Sequence, residues 1–400
     1  MATTSEITTR PTTAVIGRRL FLLAAVVLVA ANLRTAVTSL GAVLDQVGRD
    51  LAMPAAATSL VTALPVLCFG LIALTAPFVV RRLGPRAGIA VAVGVLLAGV
   101  LLRVVAGPVA LLLGTFLACA GIATANVLLP VVVKTDFGDR VGQVTGLYSA
   151  VMASGAAAGA VFTVPLSHAT GGWRGGLLAW GALAAVALVF WLPHTRRTAG
   201  PASHRASVRP LLSDRVAWSV TVLFGTQSLL AYVIMSWLPA VFRDAGLSAA
   251  QAGGLLGLAI LIGVPINFAV PMLSARLRSQ SALAVGLTLC SAAGFAGLLA
   301  APGTASWLWV LLLGVGGAVF PLNLVLFNLR TRASSDTAAL SAMAQGVGYL
   351  LAASGPFLVG MLRDSTGSWT IPLILVLAIC AIQLVAARAA GRDRWVRGYS

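Results

Sequence analysis

Leu20–Leu44 reads LFLLAAVVLVAANLRTAVTSLGAVL, a stretch in which one arginine, Arg34, interrupts an otherwise uncharged run. At ~1.5 Å per residue a helix of this length reaches past a ~30 Å hydrocarbon core, so the stretch predicts a membrane-spanning helix. A guanidinium near its middle costs at least ~2.5 kcal/mol, and such residues turn towards a bundle interior or a watery cavity. Two kinds of partner would offset that cost. A protein group would make Arg34 a structural residue; a transported anion would make it a functional one.

The rest of the chain has the same character. Of its 400 residues 59% are hydrophobic and 9% charged, with a mean hydropathy of +0.98. No soluble domain buries that much apolar surface in one core, so this is a polytopic membrane protein. A net charge of +17 would suit nucleic acid, but the basic residues are scattered among short loops between apolar runs, where they report topology instead. No nucleic-acid partner is expected. Cys68, Cys119, Cys290 and Cys380 lie inside apolar runs without metal spacing, which points to packing rather than disulfides or zinc. Arg18 and Arg19 precede the first apolar run, which is too long for the core of a signal peptide, so the first helix is expected to stay in the mature protein.

Apolar segments follow at Leu20–Leu44, Ser59–Val80, Ala87–Val105, Val109–Val133, Val141–Leu166, Gly175–Leu192, Val216–Phe242, Gly253–Leu277, Ala282–Ala301, Ser306–Leu329, Ala338–Leu362 and Ile371–Ala387. Twelve spans result by the usual ~20-residue criterion. The longest polar stretch after the N-terminus, HTRRTAGPASHRASVRPLLSDR, separates the sixth from the seventh. The expected organisation is a tail over 1–19, a six-helix bundle over 20–193, a linker over 194–215, a second bundle over 216–387 and a tail over 388–400. With a cytoplasmic N-terminus, 21 of the 27 Lys and Arg residues fall on the cytoplasmic side. Four (Arg49, Arg174, Arg243, Arg363) fall outside, and Arg34 and Arg103 lie within segments. Both termini are therefore expected in the cytoplasm. The membrane itself is expected to be the inner (plasma) membrane of a bacterium.

The halves repeat. Asp50-Leu51-Ala52-Met53-Pro54-Ala55-Ala56 matches Asp244-Ala245-Gly246-Leu247-Ser248-Ala249-Ala250; at the same offset of 194, Pro77 falls on Pro271 and Arg82 on Arg276. Thr170-Gly171-Gly172-Trp173 matches Thr366-Gly367-Ser368-Trp369 at an offset of 196. A near-constant offset over several loops is what a duplicated six-helix unit predicts, and the two copies run parallel.

Over nearly its whole length the chain resembles the major facilitator superfamily. Arg82-Leu83-Gly84-Pro85-Arg86 resembles the end of that superfamily's loop motif, from which Arg82, Gly84 and Arg86 are carried over; Arg81 stands where an aspartate is usual. The branch of cyanate and 2-nitroimidazole transporters is resembled in five places. These are Asn32-Leu33-Arg34, Leu64-Pro65-Val66-Leu67-Cys68-Phe69-Gly70, Asn126-Val127-Leu128-Leu129-Pro130 with Lys134, Gly146-Leu147-Tyr148 and Ser236-Trp237-Leu238-Pro239. The resemblance implies an all-α membrane protein of twelve helices in two pseudo-symmetric bundles, acting as a secondary carrier of small planar solutes.

Substrate sites in such transporters lie near the midplane between the halves, among polar residues that would otherwise be expensive there. Arg34 and Thr38 share one face of the first helix, with Asn32 on a neighbouring stripe. Asn126 tops a mildly polar face of the fourth helix with Thr115 and Cys119. Gln227 and Tyr232 lie on the seventh, Asn323 on the tenth, and Gln345 and Tyr349, four apart, on the eleventh. These nine are the candidate substrate contacts, each set against its plainer reading as interhelical hydrogen-bond glue worth ~0.6 kcal/mol. Arg103, close to Gly107-Pro108, is expected to snorkel to the interface.

All ten acidic residues fall in tails, loops or helix ends, so no span carries a central carboxylate. Arg34 thus lacks a midplane acidic partner unless Asp45 reaches back from one side, and a cationic drug would lack a counter-charge where a small anion finds one. The leading expectation is a carrier for a small planar anion or polar nitrogen heterocycle; a multidrug or metabolite efflux carrier of the same superfamily is the alternative. An embedded enzyme would need clustered His, Asp or Glu in the spans, so no enzyme is expected, and no cofactor or metal. A functional monomer is expected. Ser154-Gly155-Ala156-Ala157-Ala158-Gly159-Ala160 predicts close helix packing, and Pro65, Pro77, Pro130, Pro265, Pro271, Pro321 and Pro356 should bend or open their helices.

Overall fold

A computed structural model describes residues 13–105, 107–195 and 207–396. The first half holds α1 (Thr13–Ala42), a short α2 (Leu44–Asp50), α3 (Ala55–Ala73), α4 (Ala76–Arg103), α5 (Pro108–Asp136), α6 (Val141–Ala169) and α7 (Trp173–Trp191). The second holds α8 (Arg215–Asp244), α9 (Ala249–Arg276), α10 (Ser281–Ala300), α11 (Ser306–Gly316), α12 (Val319–Leu329), α13 (Ser334–Thr366) and α14 (Thr370–Ala390). Among the described residues there are no strands, and eleven stretches are long and apolar enough to span a membrane, with Leu60–Ala73 a shorter apolar helix. Of the polar segments read from the sequence, residues 1–12, 196–206 and 397–400 lie outside the described ones.

Prolines account for where helix boundaries depart from the apolar runs. The second run breaks at Leu74–Thr75, because Pro77 has no N–H to offer the Ala73 carbonyl; it then resumes as the first turns of α4. The hairpin into the third span follows at Gly84, whose φ of 77° suits a residue without a Cβ, so α4 contains the end of one span and all of the next. The tenth run breaks at Gly317–Ala318, just ahead of Pro321, into α11 and α12.

The internal repeat reappears as a repeated bond. The Trp173 indole donates to Asp50 at 2.8 Å in the first half, and the Trp369 indole donates to Asp244 at 2.8 Å in the second. Each tryptophan is delivered by a tight turn with glycine in the left-handed region, Gly171 (φ 77°) and Gly367 (φ 65°). Matching loop sequences thus tie the same helix ends by the same chemistry.

Small residues set the close approaches. A Cβ added at Gly155 would lie 2.5 Å from the Ala31 carbonyl, so this stretch of α6 packs backbone to backbone on α1. Between the halves, Gly146 of α6 abuts the Phe268 backbone of α9 and Gly142 abuts Pro271 and Ala275; Gly70 of α3 and Gly346 of α13 interlock with Leu350 and Leu74. These seams lie towards the end of the bundle that carries both termini, so that end is closed.

Arg103 departs from the sequence expectation. It does not snorkel: it is 1% exposed, donating to the Ala36 carbonyl (2.6 Å) and to Thr115 Oγ1 (3.2 Å). Gly99 and Gly114 let α4 and α5 approach so closely that the side chain is enclosed between them and α1.

Candidate functional site

Arg34 projects from the middle of α1 across the boundary between the halves, and its neighbours there all belong to the second half. Its guanidinium carbon sits 5.3 Å from the centroid of the Phe320 ring on α12, a cation–π arrangement. The hydroxyls of Tyr232 on α8 and Tyr349 on α13 are directed at it. Tyr349 is 1% exposed and is held by Phe69 (5.3 Å) and Phe224 (5.1 Å, edge-on), which fix the direction of its hydroxyl. The ion pairs among the described residues are Arg86–Asp136 and Arg363–Asp244; neither involves Arg34.

A second group completes the midplane. Pro130 has no N–H for the carbonyl of Asn126 four residues earlier, and that carbonyl accepts from Gln345 Nε2 of the other half at 3.1 Å. The same amide nitrogen donates to Ser341 Oγ at 2.8 Å. Asn126 keeps its own side-chain nitrogen buried and unpartnered. Pro321 likewise frees the Gly317 carbonyl, which takes Gln227 Nε2 at 3.5 Å, while Gln227 Oε1 accepts from Gln383 at 2.9 Å.

The structure thus gathers Arg34, Tyr232 and Tyr349, and ties Asn126 to Gln345. It directs the other candidates elsewhere. Asn32 turns to the Leu28 carbonyl (2.8 Å) and to the Leu183 carbonyl of α7 (3.4 Å). Thr38 bonds back to the Arg34 carbonyl (3.2 Å). Gln227 belongs to the Gly317–Gln383 network, and Asn323 donates to Val319 within its own helix (3.0 Å) while its Oδ1 stays buried and unpartnered. In the loop motif, Arg82 lies 5.3 Å from the Phe78 ring centroid, Gly84 makes the turn, and Arg86 pairs with Asp136 while its carbonyl takes the Trp191 indole (2.8 Å).

Sequence reasoning missed Phe320, an unremarkable aromatic in an apolar run; the repeat offset of 194, which places it opposite Asn126, was the available signal. It also gave no role to Lys134, the single lysine. Lys134 Nζ crosses from α5 to the end of α12, donating to the Asn328 carbonyl (2.9 Å), to Thr331 Oγ1 (2.8 Å) and to the Thr331 carbonyl. These are the orphan acceptors of a helix C-terminus, capped by a cation from the opposite half.

Comparison with known proteins places the fold. Residues 20–353 match the Major Facilitator Superfamily, and the chain belongs to it. It is 38% identical to the 2-nitroimidazole transporter of Escherichia coli (strain K12), covering 95% of this chain and 97% of that one. It is 36% identical to "Uncharacterized transporter YycB" of Bacillus subtilis (strain 168), over 94% of both chains. The cyanate transport protein CynX of E. coli (strain K12) is 30% identical, over 94% of this chain and all of its own length. Among solved structures, the superfamily transporter FucP in the outward conformation superposes with a TM-score of 0.76 at 15% identity, covering 92% of this chain and 98% of that one, a likeness of fold.

Proposed function

We propose that this transporter moves a small planar anion or polar nitrogen heterocycle by alternating access, with Arg34 as the cationic contact. The observation that carries the reading is the setting of Arg34: mid-span, at the boundary between the halves, without an ion pair among the described residues, facing two tyrosine hydroxyls and an aromatic ring of the opposite half. A guanidinium offers a planar fork of donors to carboxylate-like or nitro-like oxygens, and a ligand there offsets the burial of the charge in the loaded state. Relatives named for 2-nitroimidazole and cyanate support this substrate class. The end bearing the termini faces the cytoplasm, in keeping with its excess of arginine, and the membrane is a bacterial inner membrane. The two six-helix units rock about the seams described above.

Binding of cyanate, 2-nitroimidazole and benzoate-type anions to purified protein tests the proposal. At least one should bind saturably, with affinity falling roughly 10- to 100-fold in Arg34→Gln, the equivalent of one charge-assisted hydrogen bond of ~1.5–3 kcal/mol. Arg34→Lys should fall between. Wild-type affinity in a stably folded Arg34→Gln protein would falsify the binding role.

A further inference from the structure

A crevice of about 370 Å³ opens on the flank of the molecule at the end carrying the termini, where α1, the α5–α6 turn and α6 of the first half meet α9 of the second. Its mouth is polar and its floor apolar. At the mouth stand Arg19, Arg140 and Gln143, all exposed; on the floor lie Leu20, Phe268 and Met272. Two carboxylates share the mouth. Asp136 is already committed to Arg86, which leaves Asp139 against two guanidiniums, and neither Arg19 nor Arg140 forms an ion pair among the described residues. The mouth is therefore net positive. The floor lies at span depth: Leu20 is 60% exposed and Phe268 40%, apolar surface that acyl chains would cover.

We infer that this crevice binds one anionic phospholipid of the inner leaflet, its phosphate held by Arg19 and Arg140 and its chains along Leu20, Phe268 and Met272. A free phosphate would satisfy the mouth alone; the apolar floor, continuous with it, selects the lipid. Because Phe268 belongs to α9 and the arginines to the first half, the lipid bridges the two halves beside the Gly146–Phe268 seam. The inference rests on the cytoplasmic orientation proposed above and is independent of substrate, so a failure of either can be told from a failure of the other.

The test is native mass spectrometry of the detergent-purified full chain, titrated with phosphatidylglycerol or phosphatidylcholine of matched acyl chains. Phosphatidylglycerol should bind preferentially, and Arg19→Gln with Arg140→Gln should lower its affinity about 30-fold, about fivefold per arginine facing an anionic surface. Met272→Trp, which fills the floor and leaves both arginines in place, should lower affinity as well and serves if the double variant folds poorly. Equal retention of the two lipids would overturn the inference, as would an unchanged preference in both variants. Displacement of phosphatidylglycerol by millimolar inorganic phosphate would make the site a phosphate site and overturn the lipid assignment.

Discussion

Replacing Lys134 by Met keeps the length of the side chain and removes its charge and its donors. The ammonium makes three bonds to the end of α12, two of them to backbone carbonyls that the helix cannot satisfy itself. A hydrogen bond involving a charged group contributes ~1.5–3 kcal/mol, and a cation at a helix C-terminus a further ~0.3–1 kcal/mol. Lys134 is only half-buried, and water takes over these bonds when the halves part. The net loss from the closed state is therefore nearer one good bond than three, about 2–3 kcal/mol. That corresponds to roughly a 30- to 150-fold shift of the closed-to-open ratio at the end bearing the termini. Spin labels at Leu83 and Arg278, both exposed and in opposite halves at that end, would report the shift as a longer-distance population by pulsed electron resonance. Lys134→Arg, which keeps charge and donors, should stay close to wild type. An unchanged distance distribution in a folded Lys134→Met protein would show that the glycine seams alone hold that end shut.

Three other outcomes can be checked with standard measurements. Trp173→Phe should lower thermal stability by the equivalent of about 1 kcal/mol, and Trp369→Phe by less, because the Trp369 partner Asp244 has a 45% exposed side chain; a larger loss at Trp369 would contradict the argument from burial. Pro130→Ala restores an N–H to the Asn126 carbonyl in competition with Gln345, so a double-mutant cycle with Gln345→Ala should show coupling of ~0.5–1.5 kcal/mol in stability, and additivity would refute it. Cysteines at Gly172 and Thr304 should be alkylated from outside intact cells while one at Ser203 is spared; modification at Ser203 would invert the topology.

Span number, hairpin positions and the internal repeat were legible in the sequence because each is written locally. Apolar length is set by bilayer thickness, arginines mark loop ends, and the paired Asp–Trp loops recur at a fixed offset. Even the helix breaks near Leu74 and Gly317 follow from Pro77 and Pro321, since a missing N–H is a property of the residue itself. The absence of a mid-span carboxylate, and with it the isolation of Arg34, was also plain from residue order alone. What surrounds Arg34 was not. Hydropathy says that a polar side chain must find company inside the bundle, but helix rotation and interhelical distance choose the company. By those means Asn32 goes to α7, Gln227 to Gln383, and Tyr232, Tyr349 and Phe320 to the arginine. Arg103 teaches the same point: its place near a helix end argued for snorkelling, and the small residues of two neighbouring helices enclosed it instead. Contacts across the halves, such as Lys134 on α12 and Gln345 on the carbonyl freed by Pro130, join residues about two hundred positions apart, so only the assembled bundle could decide them.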